Sequence, residues 1–247
     1  MPSTSAIVLR TTPYSDAYNI TSLYSSEWGV VAVQTSKGGV RRKSSTAGHW
    51  GRILQPLRLV EIESLQEPAR GFIKPIEIRL AAESLTAISD PAHQALAFFL
   101  CEFTEAIVRT APHEKSMYNY IYKSFCFFAK CSHSKTISNF HIAYILGMLN
   151  ILGYMPFFER NSYPYGYGFD LKSGQFTPFQ SGEFIVPPHE AAFLPLICKM
   201  NLANAHRFIL NRQQRATIIH HLLNYCKLHH TGVGSIKSLS VLQQLFD

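Results

Sequence analysis

The 247-residue chain contains no C-x-x-C pair, no G-x-x-x-x-G-K-[ST] loop and no G-x-S-x-G turn. The first absence removes the paired spacing of a structural zinc site, the second a nucleotide-hydrolysing phosphate loop, the third a nucleophile elbow. Ser36-Lys37-Gly38-Gly39 has the composition of a phosphate loop without its spacing. Cys126, Cys131 and His133 lie close together, as do His220-His221 and His229-His230, but neither set has ligand spacing. Cys126, among Phe125, Phe127 and Phe128, reads as a small core residue. No catalytic residue, metal or cofactor is therefore expected. An odd set of five cysteines, with no signal-peptide pattern at the start, fits reduced thiols in the cytoplasm. No apolar run approaches the roughly 18–20 residues of a membrane span.

Acidic residues are also scarce, and unevenly so. The chain carries 23 Lys and Arg against 16 Asp and Glu, a net charge of +7. Residues 1–60 hold seven of the cations and only Asp16 and Glu27. From Lys37 to Val60 there are six cations and no acid. Such a concentration favours a polyanionic partner, because neutralising phosphates releases counterions.

Hydrophobic residues make up 47% of the chain, enough for a proper core. The first eighty residues read as short strands: Ala6–Leu9, Tyr18–Tyr24, Gly29–Thr35, Leu57–Leu65 and Phe72–Ile78, the last weakened by Pro75. Five strands in that length match a small OB-type barrel, with Ser36–Leu54 as a projecting polar loop. After residue 80 the period becomes helical. Asp90-Pro91 caps a first helix, and Glu114–Lys130, a segment from Thr136 or Ser138 to Gly153, Pro187–Met200, Asn211–His230 and Ser238–Phe246 follow. Tyr154–Val186, rich in aromatics and without cysteine, reads as an irregular loop or hairpin. The expected fold is α+β: an N-terminal five-stranded OB-type barrel (1–80), then a helical domain (81–247) carrying the insertion at about 154–186.

The chemistry that remains is binding. Lys37-Gly38-Gly39-Val40-Arg41-Arg42-Lys43 packs four cations and two glycines into seven residues, suited to tracking a phosphate chain. Arg52 and Arg58 follow with no acid between, and Arg10 lies on the first strand. Base stacking needs exposed rings, for which Tyr14, Tyr18, Trp28 and Trp50 are candidates; Trp28 is better explained as core. The expected DNA-binding set is Arg10, Tyr14, Lys37, Arg41, Arg42, Lys43, Trp50, Arg52 and Arg58. A second constellation, Arg207, Phe208, Arg212 and Arg215, sets arginines around an apolar step and a helix start, where an acidic, apolar-ended peptide could dock. Solvent-facing arginines beside an ordinary cap explain it better, since nothing in the spacing alone requires a ligand.

Several runs resemble the RecO family of recombination mediators: Ala6-Ile7-Val8-Leu9-Arg10, Tyr14 with Asp16, Gly29, Lys37-Gly38 followed by Arg41-Arg42-Lys43-Ser44, and Leu54-Gln55-Pro56-Leu57. Asn139-Phe140-His141 and Ile236-Lys237-Ser238-Leu239 extend the likeness to the C-terminal half. The resemblance implies an OB-fold and a helical domain that bind single- and double-stranded DNA and anneal complementary strands. With RecR, such proteins help load RecA onto DNA covered by single-stranded DNA-binding protein, whose acidic C-terminal tail they also contact. It implies a cytoplasmic, nucleoid-associated protein that needs no ATP. The alternative is an adaptor that docks acidic peptides through its helical domain. Many family members carry a four-cysteine zinc site where this chain has Tyr154–Val186. Here Tyr163, Tyr165, Tyr167, Phe169, Phe176 and Phe179 are expected to replace the metal with an aromatic core.

Overall fold

The structure is a computed structural model that describes residues 2–37, 50–51, 53–84, 90–131, 134–156, 158 and 166–245. In chain order its strands and helices are β1 (Ser3–Pro13), β2 (Tyr18–Ser25), β3 (Gly29–Ser36), β4 (Leu59–Ser64), β5 (Phe72–Ile73), β6 (Pro75–Leu80), α1 (Pro91–Val108), α2 (Lys115–Lys130) and α3 (Ser134–Ile151). There follow β7 (Tyr167–Asp170), β8 (Gln175–Pro178), β9 (Ile185–Val186), α4 (Pro188–Ala191), α5 (Leu194–Ile197), a 3-10 turn at Ala205–Arg207, α6 (Arg212–His229) and α7 (Ser238–Leu245). The described residues form two compact units, one from residues 1–130 with 236–245, the other from residues 131–235.

In the first unit one sheet runs β5-β3-β2-β1-β4-β6. Its two outermost strands are consecutive in the chain, separated only by Lys74. The sheet must therefore curl until its edges meet, which is compatible with the OB-type barrel expected. The strand count is corrected from five to six. Pro75 has no N–H for a ladder, and the register between β4 and β6 slips beside it, between Glu63 and Ser64. The Ser64 hydroxyl donates to the carbonyls of Gln66 (2.7 Å) and Lys74 (3.1 Å), which fixes the break. Before it, Phe72–Ile73 pairs parallel with Ala32–Val33; after it, the chain pairs antiparallel with β4.

Inward residues of this sheet, among them Ala6, Val8, Leu23, Val31, Val33, Val60 and Ile62, form one buried cluster. Trp50, Ile53 and Leu54 belong to it, with Trp28 packed against it. The projecting loop expected over Ser36–Leu54 thus returns to the core at its end. Gly29, at φ +66°, opens β3, and a Cβ there would stand 3.3 Å from His113.

Helices α1 and α2 cover only part of the sheet. Tyr118 donates from its hydroxyl to the Ser5 hydroxyl at 3.0 Å, and His113 bonds the Tyr24 hydroxyl (3.2 Å) and the Ser26 carbonyl (3.0 Å). Burial raises the Tyr24 and Tyr118 phenols to about 12. The Asp90 carboxylate caps α1 by accepting from the His93 N–H, as the Asp-Pro pair predicts. The N-terminus of α7 is held by Glu102, which accepts from the Lys237 N–H (2.9 Å) and from the Ser238 N–H (2.8 Å) and hydroxyl (2.5 Å).

In the second unit, α3 and α6 frame a three-stranded sheet of order β8-β7-β9, so Tyr154–Val186 contains a small sheet. The single helix expected over Pro187–Met200 is two short ones, α4 and α5, each opened by a proline in its first turn. Asn211 caps α6 in a reciprocal capping box with Gln214.

Candidate nucleic-acid interface

Residues 3–36 form a meander whose alternation decides what the barrel shows to solvent. Leu23, Val31 and Val33 point into the core, so Ile20, Ser22, Ala32 and Gln34, their alternates, point out. Register then sets the outward rows: Thr12–Ile20–Gln34, Arg10–Ser22–Ala32–Phe72, and Tyr18–Ser36. At Leu9 the pairing of β1 with β2 slips by one residue. That bulge restores Arg10 to the outward side, where regular alternation would have turned it inward.

Tyr14 is 69% exposed, Tyr18 44% and Phe72 45%, three rings presented on this side or at its rim. The β1–β2 turn folds back through Tyr14 N–H and Ser15 N–H to the Tyr18 carbonyl, at 3.0 and 3.2 Å. At the same end the Lys37 N–H donates to the Ala17 carbonyl at 2.8 Å. Tyr14, Tyr18 and Lys37 are therefore brought together where the acid-free stretch leaves the barrel. Arg70, exposed and at φ +50°, sits in the loop before Phe72.

The opposite flank has the other sign. Outward positions of β4 and β6 are Glu61, Glu63, Glu77 and Arg79, with Arg79 in a two-bonded pair with Glu77 at 2.7 and 2.5 Å. The exposed pair contributes little to stability, and three carboxylates against one guanidinium leave that side acidic. On the meander side the described outward residues named above include no acid; Asp16 lies in the turn at its end.

Other expected residues sit differently. Trp50 is only 8% exposed and its ring is part of the barrel core, so it is not the exposed stacking ring expected of it. Arg58 is half-buried beside β1, its carbonyl accepting from the Val8 N–H at 2.9 Å. Arg41, Arg42, Lys43 and Arg52 lie outside the described residues. Phe72 and Arg70 escaped the sequence reading. The alternation that exposes Phe72 was legible, but its parallel pairing with β3 depends on barrel closure, which no local pattern encodes.

In the second unit, buried Asn139 donates to the carbonyls of Ala205 (3.0 Å) and Phe208 (2.9 Å). This pins the segment that presents Arg207 and the 83%-exposed Ile209 ahead of α6. Arg212 is exposed, whereas Arg215 turns back to the Leu210 carbonyl at 2.6 Å. Burial lowers the Arg215 guanidinium from its ordinary value. Phe158, Phe169 and Phe176 make the aromatic core of the hairpin, with centroids 5.4–5.9 Å apart. Phe179 is exposed and takes no part in this triad, and Tyr163 and Tyr165 lie outside the described residues. Among the described residues no group of three or more His, Cys, Asp or Glu could hold a metal ion, and no helix is long and apolar enough to cross a membrane.

The family model for the C-terminal part of recombination protein O matches residues 88–240, more than half the chain. A DNA repair protein RecO of Porphyromonas gingivalis is 29% identical over 98% of both chains. That of Bacteroides fragilis is 28% identical over 100% of both. That of Flavobacterium johnsoniae is 22% identical over 98% of both.

Proposed function

The chain belongs to the RecO family of DNA repair and recombination proteins, and from that premise we propose that it is a recombination mediator working through the open side of its barrel. On this reading it binds single- and double-stranded DNA and anneals complementary strands. With RecR it helps load RecA onto DNA coated by single-stranded DNA-binding protein. The observation that carries the reading is the sidedness of the barrel. Exposed Tyr14, Tyr18 and Phe72 share an outward side with Arg10 and open into the acid-free stretch from Lys37, while the acids gather on β4 and β6. Stacking on rings beside a cationic track suits single strands of any sequence, since every base has a π-face.

Backbone neutralisation and stacking need no covalent step, so the reading uses no catalytic residue. Its test is a strand-annealing assay on complementary oligonucleotides, bare and coated with single-stranded DNA-binding protein. Acceleration of both is expected. Acceleration of neither would remove the mediator reading.

The exposed Ile209 between Arg207 and Arg212 favours a second activity, docking of an acidic, apolar-ended tail such as that of single-stranded DNA-binding protein. Titrating a labelled tail peptide into the full chain tests it. Arg207→Ala with Arg212→Ala should weaken capture, and undiminished capture would place the peptide elsewhere.

A further inference from the structure

Helix α1 and its C-cap carry Phe98, Glu102, Glu105 and Arg109 at intervals of four, three and four residues, one stripe along the helix. The stripe borders a groove of about 650 Å³ whose lining includes Leu9, Arg10, Phe98, Glu105, Lys237 and Val241. Both carboxylates in it are already engaged. Glu102 is consumed by the N-terminus of α7. Glu105, with its side chain 7% exposed, forms an ion pair with Arg10 Nε at 3.2 Å and accepts a hydrogen bond from Arg109 Nη2 at 2.6 Å.

One buried carboxylate thus holds two guanidiniums, and the cluster keeps a net charge of +1. Arg10 and Arg109 remain 57% and 51% exposed. Arg10 meets Glu105 through Nε, one of its five N–H donors, so planar donor capacity is left for an oxyanion. Phe98, 55% exposed although its neighbours Ala97, Phe99 and Leu100 are buried, and Val241, 49% exposed, are apolar groups beside that charge. Arg10 also lies in the outward row with Ser22, so the groove is continuous with the barrel side described above.

We propose that Arg10 and Arg109, spread on Glu105, form a phosphate seat that carries single-stranded DNA from the barrel onto α1, with a base resting on Phe98 in the groove. Glu105 is a positioning residue: it orders two long side chains before the strand arrives. The proposal rests on the reading that the barrel side binds DNA.

The test is fluorescence anisotropy of a dye-labelled oligothymidylate with the full chain over a range of salt. Phe98→Ala should weaken binding roughly fivefold or more, the low end of one lost stacking contact. Arg109→Ala should make the log–log salt slope shallower by about 0.7, one phosphate on a single strand. Arg109→Lys keeps the charge, so it should keep the slope while losing affinity. A purely structural role for the ion cluster would change the unfolding midpoint and leave the salt slope alone. Wild-type affinity and slope in both Phe98→Ala and Arg109→Ala, with binding reduced by Tyr14→Ala/Tyr18→Ala, would overturn the seat and leave the barrel reading standing. Loss in the α1 variants with the tyrosine pair neutral would keep the seat and overturn the barrel reading. No binding by the wild-type chain would overturn both.

Discussion

The Lys37 N–H donates to the Ala17 carbonyl at 2.8 Å, tying the exit of β3 to the turn between β1 and β2. Because of that bond, the stretch that carries six cations and no acid begins beside the exposed rings of Tyr14 and Tyr18. Charge and stacking surface are contiguous by construction of the meander.

Tyr14→Ala and Tyr18→Ala remove exposed rings, so the fold should tolerate both. Each is expected to weaken single-strand binding by about 1–3 kcal/mol if a base rests on it. Anisotropy titrations paired with thermal melts check this. A drop in melting temperature with unchanged affinity would return the rings to a structural role.

Trp50 should behave in the opposite way. Its ring belongs to the barrel core, and Trp50→Ala is expected to cost about 3–5 kcal/mol of stability through lost burial and a cavity. Trp50→Phe, which refills most of the volume, should bind DNA like the wild type. Urea unfolding and a binding isotherm on the two variants separate these effects; a stable Trp50→Ala protein that has lost DNA would reverse the assignment.

The contrast between Trp50 and Tyr14 shows what was legible in advance. Strand and helix positions follow from alternation, the Asp90-Pro91 cap and the Asn211 cap, all local patterns. The burial of Trp50 is not local: it depends on how the chain after residue 49 re-enters the barrel. The split of the last strand at Pro75 and the exposure of Phe72 likewise follow from closure, in which Phe72–Ile73 pairs with β3 from the far edge. The pairing of Arg10 and Arg109 on Glu105 needs a bulge at Leu9 and a helix packed beside it, neither of which spacing reveals.

His141 gives the second unit a dependence on pH. Burial, reinforced by the charge of Arg215, lowers its imidazole to about 3. The folded value lies below the unfolded one of about 6.5, so between them the unfolded chain binds more protons. The contribution of neutral His141 is full above about pH 6.5 and declines by about 1.4 kcal/mol per pH unit below it. Between pH 7 and pH 5 the wild type should lose roughly 2 kcal/mol more than His141→Gln. Urea midpoints at the two pH values measure this, and parallel losses in both proteins would contradict it.

The hairpin should hold together without zinc. Phe158, Phe169 and Phe176 pack ring against ring, with Phe169 2% exposed. Phe169→Ala should destabilise the second unit by about 3–5 kcal/mol. Elemental analysis of purified protein should find zinc far below one equivalent; a stoichiometric metal would refute the aromatic replacement.

On the proposed function, DNA is held by the barrel's open side together with the cationic sequence that begins at Lys37. The most direct measurement of this is the affinity of the full chain for single-stranded DNA when Arg41, Arg42 and Lys43 are all changed to Ala, at matched salt. Weaker binding is expected, with a salt slope shallower by about 2, as three phosphate contacts at about 0.7 each require. Unchanged affinity and slope in a folded triple variant would move the DNA to another surface.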